Sequence, residues 1–182
     1  MSVTDASIPA GTTIAAVLQR TPVAQLETRI LLGHVTRLSR VQLITQSERA
    51  LTADEAQQLS QLFARRLAGE PIAYLTGERE FYGLSFDVSP AVLIPRPDTE
   101  LLVELALQYL PPQGRVLDMG TGSGAIAIAI AHARPDAVVT ALDVSAEALA
   151  IATGNARKNQ VKVNFLHSDW FSAVAAQRFD LI

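Results

Sequence analysis

Val116-Leu117-Asp118-Met119-Gly120-Thr121-Gly122-Ser123-Gly124-Ala125 decides how this chain is read. Three glycines at alternate positions follow a short apolar run and open an alanine- and isoleucine-rich one, the pattern of a strand turning sharply into a helix. Glycine permits positive φ and lets a ligand approach the backbone without meeting a Cβ, and the helix that follows presents unpaired amides. A nucleoside-containing ligand suits such a turn. Asp143 ends the next predicted strand 23 residues after Gly120, where a carboxylate can accept hydrogen bonds from both ribose hydroxyls. Around the turn, short apolar strands alternate with helices over residues 115–118, 125–133, 138–143, 146–158 and 163–166. That alternation predicts an α/β fold with a parallel sheet and crossover helices.

Two ligands compete for the turn, because Gly120, Gly122 and Ala125 also satisfy the dinucleotide pattern Gly-x-Gly-x-x-Gly/Ala. Asp118 places a carboxylate two residues before the first glycine, where an approaching pyrophosphate would be repelled. S-adenosyl-L-methionine brings an ammonium and a sulfonium there instead, and an acid before Gly-x-Gly-x-Gly resembles the first motif of class I methyltransferases. A dinucleotide-dependent oxidoreductase and a turn that serves packing alone stay open on these residues. Ser168-Asp169-Trp170 follows the third strand of the alternation, so Asp169 could accept from an adenine amine and Trp170 could offer a ring face. The competing reading makes Asp169 a turn cap and Trp170 a core anchor.

Upstream, Phe81 to Val88 alternates apolar and polar positions around Gly83, which predicts a hairpin serving as a linker. Pro95 and Pro97 exclude regular structure from Ile94-Pro95-Arg96-Pro97-Asp98-Thr99-Glu100. Arg96 is held on a stiff backbone there, and Asp98 is placed to cap a helix carrying Leu101, Leu102, Leu105 and Ala106. Residues 12–70 read as helical. Ile14, Val17 and Leu18 form one stripe, Val23, Leu26, Ile30, Leu31 and Val35 a second, and Leu38, Val41 and Ile44 a short third. Thr52 and Glu55 make a capping box for a helix with Ala56, Leu59, Leu62, Phe63 and Leu67 inward, stopping at Gly69 and Pro71. Ser2 to Gly11 reads as a loose end. The expected domains are residues 1–74, helical; 75–97, a hairpin linker; and 98–182, the α/β part.

At 182 residues, 49% apolar and 18% charged, the chain can bury a core and is too short for a full α/β barrel. The formal charge of −3 argues against direct nucleic-acid binding, and the part after residue 75 is the acidic one, with eight basic against twelve acidic side chains. The absence of cysteine excludes disulfides and thiolate chemistry. With no membrane span or leader in evidence, the expected location is the cytoplasm. His34, His132 and His167 are scattered, so no metal site is expected, and they read as surface or packing residues.

Glu80-Phe81-Tyr82-Gly83-Leu84, Val92 to Glu100, Leu117 to Gly124 and Ser168-Asp169-Trp170-Phe171 together resemble successive motifs of the release factor glutamine methyltransferase (HemK-type) family. The resemblance runs from the helical part to the last residue. A sister family acting on a ribosomal-protein glutamine usually departs from Pro97-Asp98-Thr99-Glu100, which this sequence keeps. The resemblance implies a substrate-recognising helical domain and a Rossmann-like class I domain. It also implies methyl transfer from S-adenosyl-L-methionine to the glutamine amide of the Gly-Gly-Gln motif of peptide chain release factors; separately, the chain is expected to be a monomer. Carried over, Gly120, Thr121, Gly122, Ser123, Gly124, Asp143 and Trp170 are cofactor contacts, with Asp118 and Asp169 beside them and Arg96 near the cofactor's amino-acid end. The family's Asn-Pro-Pro-Tyr catalytic loop follows a fourth strand that Phe179-Asp180-Leu181-Ile182 reads as beginning, so the chain is expected to be a fragment truncated there and inactive alone, with no catalytic residue inside it.

Overall fold

The computed structural model describes residues 6–182 and divides into compact units on either side of the Thr76–Gly77 bond. The first unit holds α1 (Ile14–Gln19), α2 (Gln25–Thr36), α3 (Arg40–Thr45), α4 (Ala53–Leu67) and α5 (Ile72–Thr76). Its core joins Ile14, Leu31, Leu32, Leu59 and Phe63. α4 forms where both halves of its capping box close. The Thr52 hydroxyl accepts from the Glu55 amide at 3.2 Å and Glu55 accepts from the Thr52 amide at 2.9 Å, while Arg49 pairs with the same carboxylate at 2.7 Å. Partial burial pushes the Glu55 pKa up, but the Thr52 amide and Arg49 outweigh it and hold it below its ordinary value. That stabilisation is complete above the ordinary value and is lost as pH falls through the depressed one. Thr52→Ala is expected to cost about 1 kcal/mol, and Glu55→Gln to flatten the acid limb of stability measured by urea unfolding between neutral and acid pH.

Several helical expectations shift by a step. α2 buries Thr28, Leu31, Leu32 and Thr36, leaving Leu26 and Ile30 exposed. Thr28 and Thr36 tolerate burial because their hydroxyls donate to the carbonyls of Ala24 and Leu32. Only Leu43 of α3 is buried, with Val41 and Ile44 outside. α5 follows Pro71, read above as part of a stop. Proline needs no donor at a helix start, and its carbonyl accepts from Tyr74 and Leu75. The loose end is tied down where it is described: Ile8 donates to Ser60 Oγ, and Gly11 to the Leu51 carbonyl. Ser2 to Asp5 lie outside the described residues.

The second unit opens with β1 (Glu78–Phe81) and β2 (Leu84–Asp87), an antiparallel pair reversed at Tyr82 and Gly83, both with positive φ as a two-residue hairpin turn requires. Here the linker expectation fails. Phe81 and Phe86 are buried edge to face, with centroids 6.1 Å apart, in the same core as Val103, Ile128, Ile130 and Val139. After a single 3-10 turn over Pro97–Thr99 comes α6 (Glu100–Tyr109). It starts without a side-chain cap, so Asp98 does not fill that role, and it buries Val103 and Ala106 while Leu101, Leu102 and Leu105 stay exposed.

Then β3 (Arg115–Met119), α7 (Ala125–Ala133), β4 (Val138–Asp143), α8 (Ala146–Lys158) and β5 (Asn164–His167) follow the sequence-level alternation closely. The strands pair in parallel in the order β3-β4-β5, and Leu181 bridges the free side of β3 at Val116. β4 lies between β3 and β5, and the parallel bridge to Leu181 gives β3 a neighbour on its other side, a Rossmann-like arrangement. α7 is apolar nearly all round because it packs against β3, β4, α6 and α8 at once. No helix among the described residues is long and apolar enough to cross a membrane.

Candidate functional site

The carboxyl ends of the parallel strands are where such a sheet binds ligands. Here Met119, Gly120, Leu142, Asp143, Val144, Ser168, Asp169 and Trp170 line a cavity of about 280 Å³. The glycine turn forms one side. Gly120, Gly122 and Gly124 all have positive φ, at 73°, 54° and 82°. A Cβ on Gly120 or Gly122 would meet no protein atom within 4 Å, so both positions face open space. On Gly124 it would lie 2.8 Å from Ile128 Cδ1 and 3.1 Å from the Ala152 Cβ, which makes that glycine a packing requirement between α7 and α8. The amides of Gly120 and Thr121 both donate to the Leu142 carbonyl at 2.9 Å, anchoring the turn to β4.

Asp143 joins the two sides of the cavity. Its Oδ2 accepts from the Gly122 amide at 2.9 Å and its Oδ1 from the Ser145 amide at 2.9 Å, which fixes the carboxylate and leaves each oxygen a further lone pair. Asp118 sits beneath the turn and does not line the cavity. Thr121 Oγ1 donates to it at 2.7 Å, so the buried Thr121 side chain serves the turn from inside. Burial, with the nearby charge of Asp143, holds the Asp118 carboxyl above the usual range against the hydrogen bonds from Thr121 and the Ala127 amide. Ser123 is buried too, and its carbonyl accepts from Asn155.

On the far side, Trp170 is 74% exposed, so it is not a core anchor. Its φ of 48° is unusual for a bulky residue. The buried Ser168 holds that backbone, donating from Oγ to the Trp170 carbonyl at 2.9 Å and accepting from the Ala173 amide at 3.1 Å. Asp169 is exposed at the same rim. Arg96 is exposed and lies outside the cavity lining, its carbonyl accepting from Thr99.

Sequence reasoning did not single out Met119, Leu142 and Val144, the apolar wall, nor His167. That histidine, read above as a surface or packing residue, is exposed and meets the Val144 carbonyl through Nε2 at 2.8 Å beside the rim. The signal available for Val144 was its place directly after a strand-end carboxylate. Among the described residues no group of His, Cys, Asp and Glu is placed to hold a metal.

Residues 12–77 match the PrmC N-terminal domain family, and residues 97–182 the methyltransferase small domain family. The release factor glutamine methyltransferase of Escherichia coli (strain K12) is 50% identical over 167 residues, covering 91% of this chain and 60% of that protein. The protein of the same name from Burkholderia pseudomallei is 51% identical over 174 residues, covering 91% and 61%. Among solved structures, the Pyrococcus abyssi tRNA (uracil-54, C5)-methyltransferase aligns with 57% of this chain and 26% of its own at 20% identity and a TM-score of 0.49. The chain thus spans about 60% of the length of the curated relatives it matches. With the two domain families matched in succession and about half of the residues shared along nine-tenths of its length, the chain is similar to release factor glutamine methyltransferases over about three-fifths of their length.

Proposed function

We propose that this chain binds S-adenosyl-L-methionine at the cavity between the glycine turn and Trp170, as part of an enzyme that methylates the side-chain amide of a glutamine in peptide chain release factors. The observation that carries the reading is the charge of the site. Asp143 and Asp169 line the cavity, Asp118 lies under its turn, and no Lys, Arg or His is among the lining residues. A cationic ligand is favoured there and a pyrophosphate is not. The residues fit the cofactor in shape as well: open space at Gly120 and Gly122 admits a close approach, and Met119, Leu142, Val144 and Trp170 offer apolar faces to a base.

When bound, the cofactor supplies an electrophilic methyl group. The chain's own residues hold and orient it: Asp143 is placed to accept from ribose hydroxyls, Asp169 from an exocyclic amine, and Trp170 to cover a ring. Relatives named for release factor glutamine methylation support the protein substrate. A substrate of that kind suits an enzyme of the cytoplasm.

Trp170 is the single tryptophan of the chain, so its fluorescence reports directly on the site. Titration with S-adenosylhomocysteine is expected to change that emission saturably, and titration with a nicotinamide dinucleotide to leave it unchanged. A saturable response to the dinucleotide alone would overturn the reading.

A further inference from the structure

A side chain outside the glycine turn holds it from beneath. Asn155, in the last turn of α8, is fully buried, with its amide engaged on both ends. Oδ1 accepts from the Asp87 amide at 2.7 Å, while Nδ2 donates to the Asp87 carbonyl at 3.0 Å and to the Ser123 carbonyl at 2.9 Å. The side chain pairs with the backbone of Asp87 as a neighbouring strand would, and its remaining N–H reaches the peptide between Gly122 and Gly124. Asparagine is a poor residue for a helix interior, and its burial is tolerated only with such partners. At the end of α8, the capping residue Asn159 donates through Nδ2 to the Ser85 carbonyl at 2.9 Å, and Lys158 Nζ pairs with Asp87 at 2.7 Å and Glu78 at 2.6 Å. Of these three gripping residues, Asn155 alone also bonds the turn.

We infer that Asn155 is a positioning residue for the cofactor turn, fixing the Ser123 peptide and with it the positive-φ run that a ligand approaches. An unheld Ser123 carbonyl would leave the turn free to sample other peptide orientations, in which Gly122 no longer donates to Asp143. The consequence for affinity rests on the reading of the cavity as an S-adenosylmethionine site; the fixing of the turn does not.

The test compares Asn155→Leu and Asn155→Asp with Lys158→Met, which loosens the same hairpin without touching Ser123. In both Asn155 variants the amides of Gly122, Ser123 and Gly124 are expected to exchange with deuterium about tenfold faster than in the parent, with the β4 amides at the parent rate. The Kd for S-adenosylhomocysteine is expected to rise about tenfold, against less than about twofold for Lys158→Met. Turn amides that keep the parent rate in both variants overturn the inference. So does a uniform acceleration that takes in β4, which would make Asn155 merely part of the core. If the parent fails to bind S-adenosylhomocysteine, the cofactor reading falls and the exchange rates still decide the role of Asn155.

Discussion

Gly124→Val is expected to lower the unfolding free energy of the second unit by about 2–5 kcal/mol, because two penalties coincide at one atom. A branched residue is strained at a φ of 82°, and the new Cβ would lie 2.8 Å from Ile128 Cδ1 and 3.1 Å from the Ala152 Cβ. Neither neighbour has room to retreat, since Ile128 and Ala152 are both fully buried. Gly120→Val is the contrasting change. Its φ of 73° carries the conformational penalty of about 1–2 kcal/mol, but its Cβ meets no protein atom and enters the cavity instead. It is expected to weaken S-adenosylhomocysteine binding by more than about a hundredfold while losing much less stability than Gly124→Val. Urea unfolding and fluorescence titration of the two variants separate these effects. A Gly120→Val protein that binds normally would remove the turn from the site.

Asp143→Ala is expected to act on both quantities at once. The carboxylate holds the Gly122 and Ser145 amides, each at 2.9 Å, and loss of these bonds is expected to cost about 1–3 kcal/mol of stability. Removing the acceptor proposed for the ribose is expected to cost a further 1.5–3 kcal/mol in binding, roughly tenfold to 150-fold in Kd. Asp143→Asn retains one acceptor oxygen and is expected to fall between the parent and the alanine variant. If Asp143→Ala destabilises the protein but leaves affinity intact, the carboxylate only staples the turn.

The strand–helix alternation from residue 115 onward was legible because apolar periodicity, alternate glycines and strand-end acids agree there, and helix and strand bounds came out within a residue or two. The helical part was legible in kind but not in facing. Periodicity treats every Leu, Ile and Val as inward, whereas α2 turns Thr28 and Thr36 into its core and α6 buries Val103 in place of Leu102. Satisfied threonine hydroxyls and one-step rotations leave no mark in an apolar count. Of the cavity lining, Asp143 at the end of β4 and Trp170 in the loop after β5 stood out in the sequence because positions at and after strand ends attract attention. Asp118 was visible as a charge, but the Thr121 hydroxyl that turns it inward was not. Asn155 could not have been found from spacing, since its partners lie 68 and 32 positions away.

The grip of α8 on the hairpin carries an implication for how this protein tolerates change. Asn155 and Asn159 bind β2 through the backbone atoms of Ser85 and Asp87. Every residue except proline offers the same amide and carbonyl, so those contacts are blind to the side chains on that strand. The outward positions of the hairpin are therefore free to drift in sequence without loosening their hold on the glycine turn, whereas a change at Asn155 has no neighbour able to stand in for it.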